Sequence, residues 1–362
     1  VDSLEVYGAK LRGIHKDTTG QSASLYAGVT VRNCDVHDVR FADQATPTHS
    51  INMCGSGNVI EDCVIHDVDR SGIVPVATGI VIRRNKIYNV GQYWLGDCIQ
   101  LIDCVDALVY DNDLSKTTNN DKACIMIQAG SGNRIIANKI YAYGDGVIND
   151  GGGGIVGINA QGANSLIAAN DVVHHGGIAI AVSGTGDGSM VRGNRITELR
   201  AAAQAGMSCI GISISPPNVT ARHNTIYAPN RLPGAAAGDM RGFSMSSGAS
   251  AGIKVDHNAV IGWRYGLLRF GANGAYTTYG RNAFWQCDSN IVDVSFNSQA
   301  AGPNDIASDP KLAGSLRPYI DSPLFTSGDP AIFGRDGDDK IVSATIGAYG
   351  LGRVRAVRPT WA

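Results

Sequence analysis

Asp97, Asp121, Lys122 and Asp150 have the residue types and spacing for acid–base chemistry. Hydrolysis of a glycosidic bond needs two carboxyl groups, about 5 Å apart for retention or about 6.5–9.5 Å apart for inversion. Asp97 with Asp121 or Asp150 reads as the wider pair. Abstraction of a proton beside a carboxylate needs a base and a cation that neutralises the carboxylate, and Lys122, Arg70 and His49 supply those groups. Taken singly, each has a plainer reading as a solvated loop charge or a turn-forming Asp. Tyr93 and Trp94, just before Asp97, read as a platform on which the apolar face of a ring could pack, or else as a loop anchor. His174 and His175 precede a Gly-Gly pair and could face the same groove, but two adjacent His are a weak metal signal. His37 and His66 read as packed ladder positions beside Asp38 and Asp67. The sequence implies no metal and no cofactor.

These groups depend on a periodic scaffold. His49, Arg70, Asp97 and Lys122 follow one another at 21, 27 and 25 residues, the interval of a repeat that runs through the chain. Its marker is Cys34, Cys63, Asn85, Asn112, Asn138, Asn170, Asn194, Asn224, Asn258 and Asn282. Two residues after each marker stands an apolar residue, from Val36 and Ile65 through to Phe284. Three residues before it stands another, from Val31 and Ile60 through to Tyr279. Ten registered copies of one short unit define a solenoid.

The apolar positions are mostly Val and Ile in short alternating runs bounded by Gly, Asn, Asp and Ser, which reads as strand. Helical repeats would need apolar spacing near 3.6 residues, and a leucine-rich horseshoe would need a Leu lattice. The remaining solution is a parallel β-helix whose coils lie about 4.8 Å apart. Each coil reads as two strands: a marker strand such as 29–36, and a strand upstream of it, such as 49–53, 97–101 or 122–127. Stacked Asn side chains would bond the backbone of neighbouring coils, and Asn tolerates the left-handed conformation of a sharp corner. Insertions at 40–48, 91–96, 117–121, 144–153, 200–208 and 230–240 all precede the first strand of a coil. His49, Arg70, Asp97 and Lys122 would therefore form one polar row, with neighbours about 5 Å apart.

Composition agrees with this reading. Gly accounts for 46 of 362 residues, charged residues for 17%, and net charge is −2. Neither nucleic acid nor an anionic membrane is suggested, and no apolar run of 18 residues is present. The eight cysteines lack CxxC spacing; Cys34 and Cys63 take the marker position and Cys98, Cys124 and Cys209 share a place at the start of the first strand, so they read as free buried thiols. Residues 1–300 read as the solenoid and 301–362 as an irregular closing segment. The first residues already resemble a marker strand, so an N-terminal cap or domain is expected before Val1.

The tail carries Asp309-Pro310-Lys311-Leu312, Ser322-Pro323-Leu324-Phe325 and Ile346-Gly347-Ala348-Tyr349-Gly350. With the coils, it resembles the right-handed parallel β-helix proteins of the pectate-lyase-like superfamily. The resemblance implies a single-stranded right-handed helix of about ten or more coils. It implies a polysaccharide or cell-surface glycan as partner and an extracellular or virion-surface location. Members include pectate and alginate lyases, polygalacturonase-like hydrolases, uronan epimerases and phage tailspikes. The Asp-Pro-His signature of mannuronan epimerases is absent. The expectation is a polysaccharide-degrading protein, with hydrolysis ahead of elimination because Asp residues outnumber Lys and Arg at the strand starts. A non-catalytic glycan-adhesion spike is the alternative, and a tailspike-like protein would be a homotrimer.

Overall fold

The computed structural model describes residues 1–9, 12–16, 27–40, 49–91, 96–117, 122–143, 155–200, 208–231, 239–245, 251–269, 277–293, 295, 297–311, 333–335 and 341–343. The chain winds as a parallel β-helix with three long sheets of 10, 11 and 11 strands, each strand pairing with those one coil before and after. One coil runs through Val59–Glu61 in the first sheet, Val64–Val68 in the second and Ser71–Val76 in the third; Val81–Arg83 then starts the next coil.

Each coil therefore has three strands rather than the two expected from sequence. The marker segment is cut in two by the residue just before the marker. Asn33, Asp62, Arg84, Asp111, Ala137, Ala169, His223, His257 and Arg281 all hold φ between 51° and 59°, and Gly193 holds 62°. Such left-handed residues turn the chain from the first sheet into the second. The marker Asn is thus not itself the left-handed residue. Its role is to bond the turn.

The ladder itself is as expected. Asn112 N donates to Asn138 Oδ1 (3.1 Å), Asn138 N to Asn170 Oδ1 (3.0 Å), and so on, coil by coil, to Asn258 N on Asn282 Oδ1 (3.0 Å). Asn138 Nδ2 also donates to the Val109 and Ile136 carbonyls. Asn85 through Asn282 are buried, so these bonds satisfy groups that water does not reach. The series runs one step beyond the sequence repeat: Asp305 accepts from Asn282 N at 2.7 Å, and Asn304 before it is left-handed at φ 57°. Burial raises the Asp305 carboxyl pKa.

The apolar columns lie in the predicted register. Val36 pairs with Ile65, Ile87 with Leu114, Ile140 with Val172, and Val260 with Phe284, all facing the core. Outside, Lys86, Asp113, Lys139, Asp171 and Arg195 form a column of alternating charge. A one-coil slip would oppose like charges, so this column helps to fix the coil register. Tyr7, His37, His66 and Tyr88 stack at 5.7, 4.9 and 4.9 Å, as expected of packed ladder positions. All eight cysteines are free thiols. The tail motifs at 322–325 and 346–350 lie outside the described residues; Phe333–Arg335 and Ile341–Ser343 form an antiparallel pair.

Candidate functional site

The predicted insertions all fall at one corner, between the second-sheet and third-sheet strands. The second-sheet strands Lys86–Val90, Asp113–Lys116 and Lys139–Tyr143 lead into it, and the third-sheet strands Ile99–Leu101, Ala123–Ile127 and Val156–Ala160 leave it. Loops carried on a rigid scaffold are the usual place for chemistry.

His49, Arg70, Asp97 and Lys122 do gather at this corner, but in two rows rather than one. His49 pairs with Ser71, and Ala123 N donates to Asp97 Oδ1 (2.7 Å), so His49, Ser71, Asp97 and Ala123 share one register position. Arg70 and Lys122 sit one residue earlier, with Gly96 on the coil between them. A one-residue step changes the direction of the side chain. His49 and Asp97 are accordingly buried, at 8% and 2% exposure, whereas Arg70 and Lys122 remain half-buried.

Burial dominates the electrostatics. It pushes the Asp97 carboxyl up to about 6, against the pull of the Ala123 N–H and the positive charges of Lys116, Lys122 and Arg70. It pushes the His49 imidazole down to about 4, helped by Arg70, Arg12 and His15. His49 Nδ1 has no hydrogen-bond partner among the described residues.

Lys116 was not singled out from sequence, yet it belongs to this cluster. It is fully buried, reaches across the interior of the corner from the second sheet, and donates to the Gly96 carbonyl at 2.5 Å. Burial lowers its pKa, while Asp97 and Cys98 act to raise it. Earlier coils place Val39, Val68 and Val90 at this inner edge. The signal was alternation: Lys116 follows the inward Leu114 by two residues. Gly96 is confined as well, because a Cβ there would lie 2.0 Å from the Arg70 carbonyl oxygen.

The two adjacent histidines separate. His174 does not face the groove. It points into the core, with Nδ1 3.1 Å from Glu198 Oε2, and burial lowers its pKa. The same alternation from inward Val172 explains this. His175 points outward and stacks on Tyr143 at 4.5 Å. Asp121, Asp150, Tyr93 and Trp94 lie outside the described residues. Asp97 is thus the one predicted carboxyl that the described residues place at the corner. Leaving the corner, one outer row of the third sheet mixes Asn52, Gln100, Asn159 and Ser213 with Val74, Met126 and Ala181, and Gln128 and Ser183 follow just after their strands. Gln100 donates to Gln128 (2.9 Å), and Ser183 donates to Asn159 (3.0 Å).

A family model described as "Right handed beta helix region" matches residues 12–196. No curated protein matches the chain. Among solved structures the chain is similar to pectate lyase Pel9A, at 12% identity over 97% of both chains with a TM-score of 0.43. It is similar to XylC in complex with xylose, at 13% identity over 91% of this chain and 66% of that one, TM-score 0.42. It is also similar to the tailspike protein of E. coli bacteriophage HK620 in complex with pentasaccharide, at 11% identity over 77% of this chain and 60% of that one, TM-score 0.36. Among the described residues, no helix is long and apolar enough to cross a membrane.

Proposed function

The chain belongs to the right-handed β-helix family, and from that premise we propose that it binds a polysaccharide along the corner between its second and third sheets and cleaves it there. The observation that carries this reading is the cluster of Asp97, Lys116, Arg70, Lys122 and His49 on consecutive coils. A polymer laid along the coils meets equivalent positions about every 4.8 Å, and the amide and hydroxyl side chains of the third sheet offer hydrogen bonds along its path. A glycan outside the cell is the matching partner, so an extracellular or virion-surface location is part of the same proposal.

In this mechanism Asp97 serves as the general acid. A carboxyl kept protonated near pH 6 by a dry site can give its proton to a departing glycosidic oxygen. The Ala123 N–H holds one oxygen of the carboxyl, and Lys116 fixes the backbone that carries it through Gly96. Asp121 or Asp150 would supply the second carboxylate. Elimination is the second reading, favoured by the half-buried cations Arg70 and Lys122. Arg70 would neutralise a uronate carboxylate, and Lys122 would remove the neighbouring proton.

A panel of neutral and acidic polysaccharides, assayed for both new reducing ends and the ultraviolet absorbance of unsaturated uronates, tests these readings. Hydrolysis gives reducing ends alone, and elimination gives both signals. Tight binding with neither signal would replace cleavage by adhesion, and no binding at all would overturn the proposal.

A further inference from the structure

Six large apolar side chains are exposed among the described residues. Val1, Leu4 and Tyr7 lie in the opening coil and Val76 at the end of a third-sheet strand; the remaining two are Tyr141 and Tyr143. Tyr143 is 48% exposed at the edge of the corner, and among the described residues one ring stacks on it. On the following coil the His175 ring lies against it at 4.5 Å with an interplanar angle of 21°. On the coil after that, Arg200 Nε donates to His175 Nδ1 at 3.5 Å.

The backing of this column is fixed from inside. Buried Glu198 accepts from Gly176 N (3.1 and 3.2 Å) and from Arg200 N (2.6 Å). Gly176 has φ 83°, and a Cβ there would lie 2.5 Å from Arg200 Cζ, so only glycine lets the guanidinium lie across this corner. Arg200 is itself 5% exposed. Imidazole and phenol therefore form a stack, and the guanidinium holds the imidazole through its ring nitrogen.

The other face of Tyr143 looks toward the preceding coil. The residue there is Thr117, small and exposed, one step beyond the Lys116–Ala142 pair. The second aromatic column of this sheet ends differently. Tyr88 carries the Lys86 ammonium 5.3 Å from its ring centroid, whereas no cation covers Tyr143 among the described residues. An aromatic face that is backed by a second ring and, among the described residues, uncovered on its other side suits the apolar face of a sugar ring. Lys122 stands in the same coil as Thr117, on the far side of the insertion.

We propose that the space over Thr117 against the open face of Tyr143 is a subsite for one pyranose unit, next to the Asp97 corner. It rests on the reading of the protein as polysaccharide-binding. Affinity electrophoresis through gels containing the polysaccharide that the wild type binds or cleaves tests it. Tyr143→Ala should weaken retention at least tenfold, and Tyr143→Phe should retain it. Thr117→Trp removes no contact but fills the space, and should weaken retention as much as Tyr143→Ala. Tyr7→Ala, at an exposed ring in the opening coil, should leave it unchanged. All three positions are exposed, and unchanged circular dichroism of the four variants confirms folding. Wild-type retention by both Tyr143→Ala and Thr117→Trp would overturn the subsite while leaving the polysaccharide reading intact. No retention of any polysaccharide by the wild type would overturn both.

Discussion

Asn138→Ala should break one rung of the ladder, with a cost that can be worked from its partners. Asn138 is fully buried; its Oδ1 accepts from Asn112 N (3.1 Å) and Asn112 Nδ2 (2.9 Å). After truncation, Asn112 Nδ2 still reaches the Ile82 and Tyr110 carbonyls, and Asn170 Oδ1 still holds the Asn138 N–H. The stranded donor is the Asn112 backbone N–H; the Val109 and Ile136 carbonyls also lose the Asn138 Nδ2 donor, although Ile136 still accepts from Asp111 N. A buried donor without a partner costs about 1–3 kcal/mol, and a small added cavity puts the total near 2–3 kcal/mol. Urea unfolding followed by circular dichroism reads the global effect. Amide exchange at Asn112 reads the local one, and about 2 kcal/mol corresponds to roughly 30-fold faster exchange. Asn138→Asp should cost more than Asn138→Ala, because a buried carboxylate would face the Val109 and Ile136 carbonyl oxygens. A wild-type midpoint together with unchanged Asn112 exchange in Asn138→Ala would refute the structural role of the ladder.

Ala137→Gly should raise the melting temperature, because Ala137 holds φ 55° and left-handed alanine costs about 1–2 kcal/mol, more than the added chain entropy of glycine; a lower melting temperature would contradict the role given to that turn. Gly96→Ala should cost several kcal/mol, or soluble expression altogether, as its Cβ would meet the Arg70 carbonyl oxygen at 2.0 Å; differential scanning calorimetry would show a tolerated substitution if the corner is looser. Asp97 and His49 should give opposite pH dependences of stability. Asp97, raised to about 6, binds more protons folded than unfolded between about pH 4 and 6, so its contribution falls as pH rises through that window. His49, lowered to about 4, binds fewer protons folded than unfolded between about pH 4 and 6.5, so its contribution falls as pH drops. Relative to wild type, melting curves of Asp97→Asn should therefore rise more steeply with pH, and those of His49→Gln less steeply; parallel curves would show both groups solvated.

The coil register was legible in the sequence because an in-register solenoid repeats its side chains at one position per coil. Val36 to Phe284 and Val31 to Tyr279 could be aligned without any structure. The third strand of each coil was not legible. The residue that creates it is Asn, Asp, Arg, Ala, Gly or His in different coils, since its φ is imposed by the bonded marker rather than chosen by residue type. The corner was legible from its insertions, whereas the direction of each side chain there depended on one-residue register. That is why His49 and Asp97 separate from Arg70 and Lys122, and why His174 turns inward while His175 does not. Lys116 is hard to read from sequence because lysine at a strand end reads as surface, although its alternation with Leu114 points to the core.

The central claim is that the corner around Asp97 does chemistry on a polysaccharide. It is tested most directly by the cleavage rate of Asp97→Asn on the glycan that the wild type degrades, alongside its melting temperature. Asn keeps the size of the side chain and an oxygen for the Ala123 N–H but cannot give up a proton at neutral pH. Asp97→Asn should lose two or more orders of magnitude in kcat/KM with folding intact and glycan retention preserved. An Asp97→Asn protein that cleaves at the wild-type rate would contradict that claim.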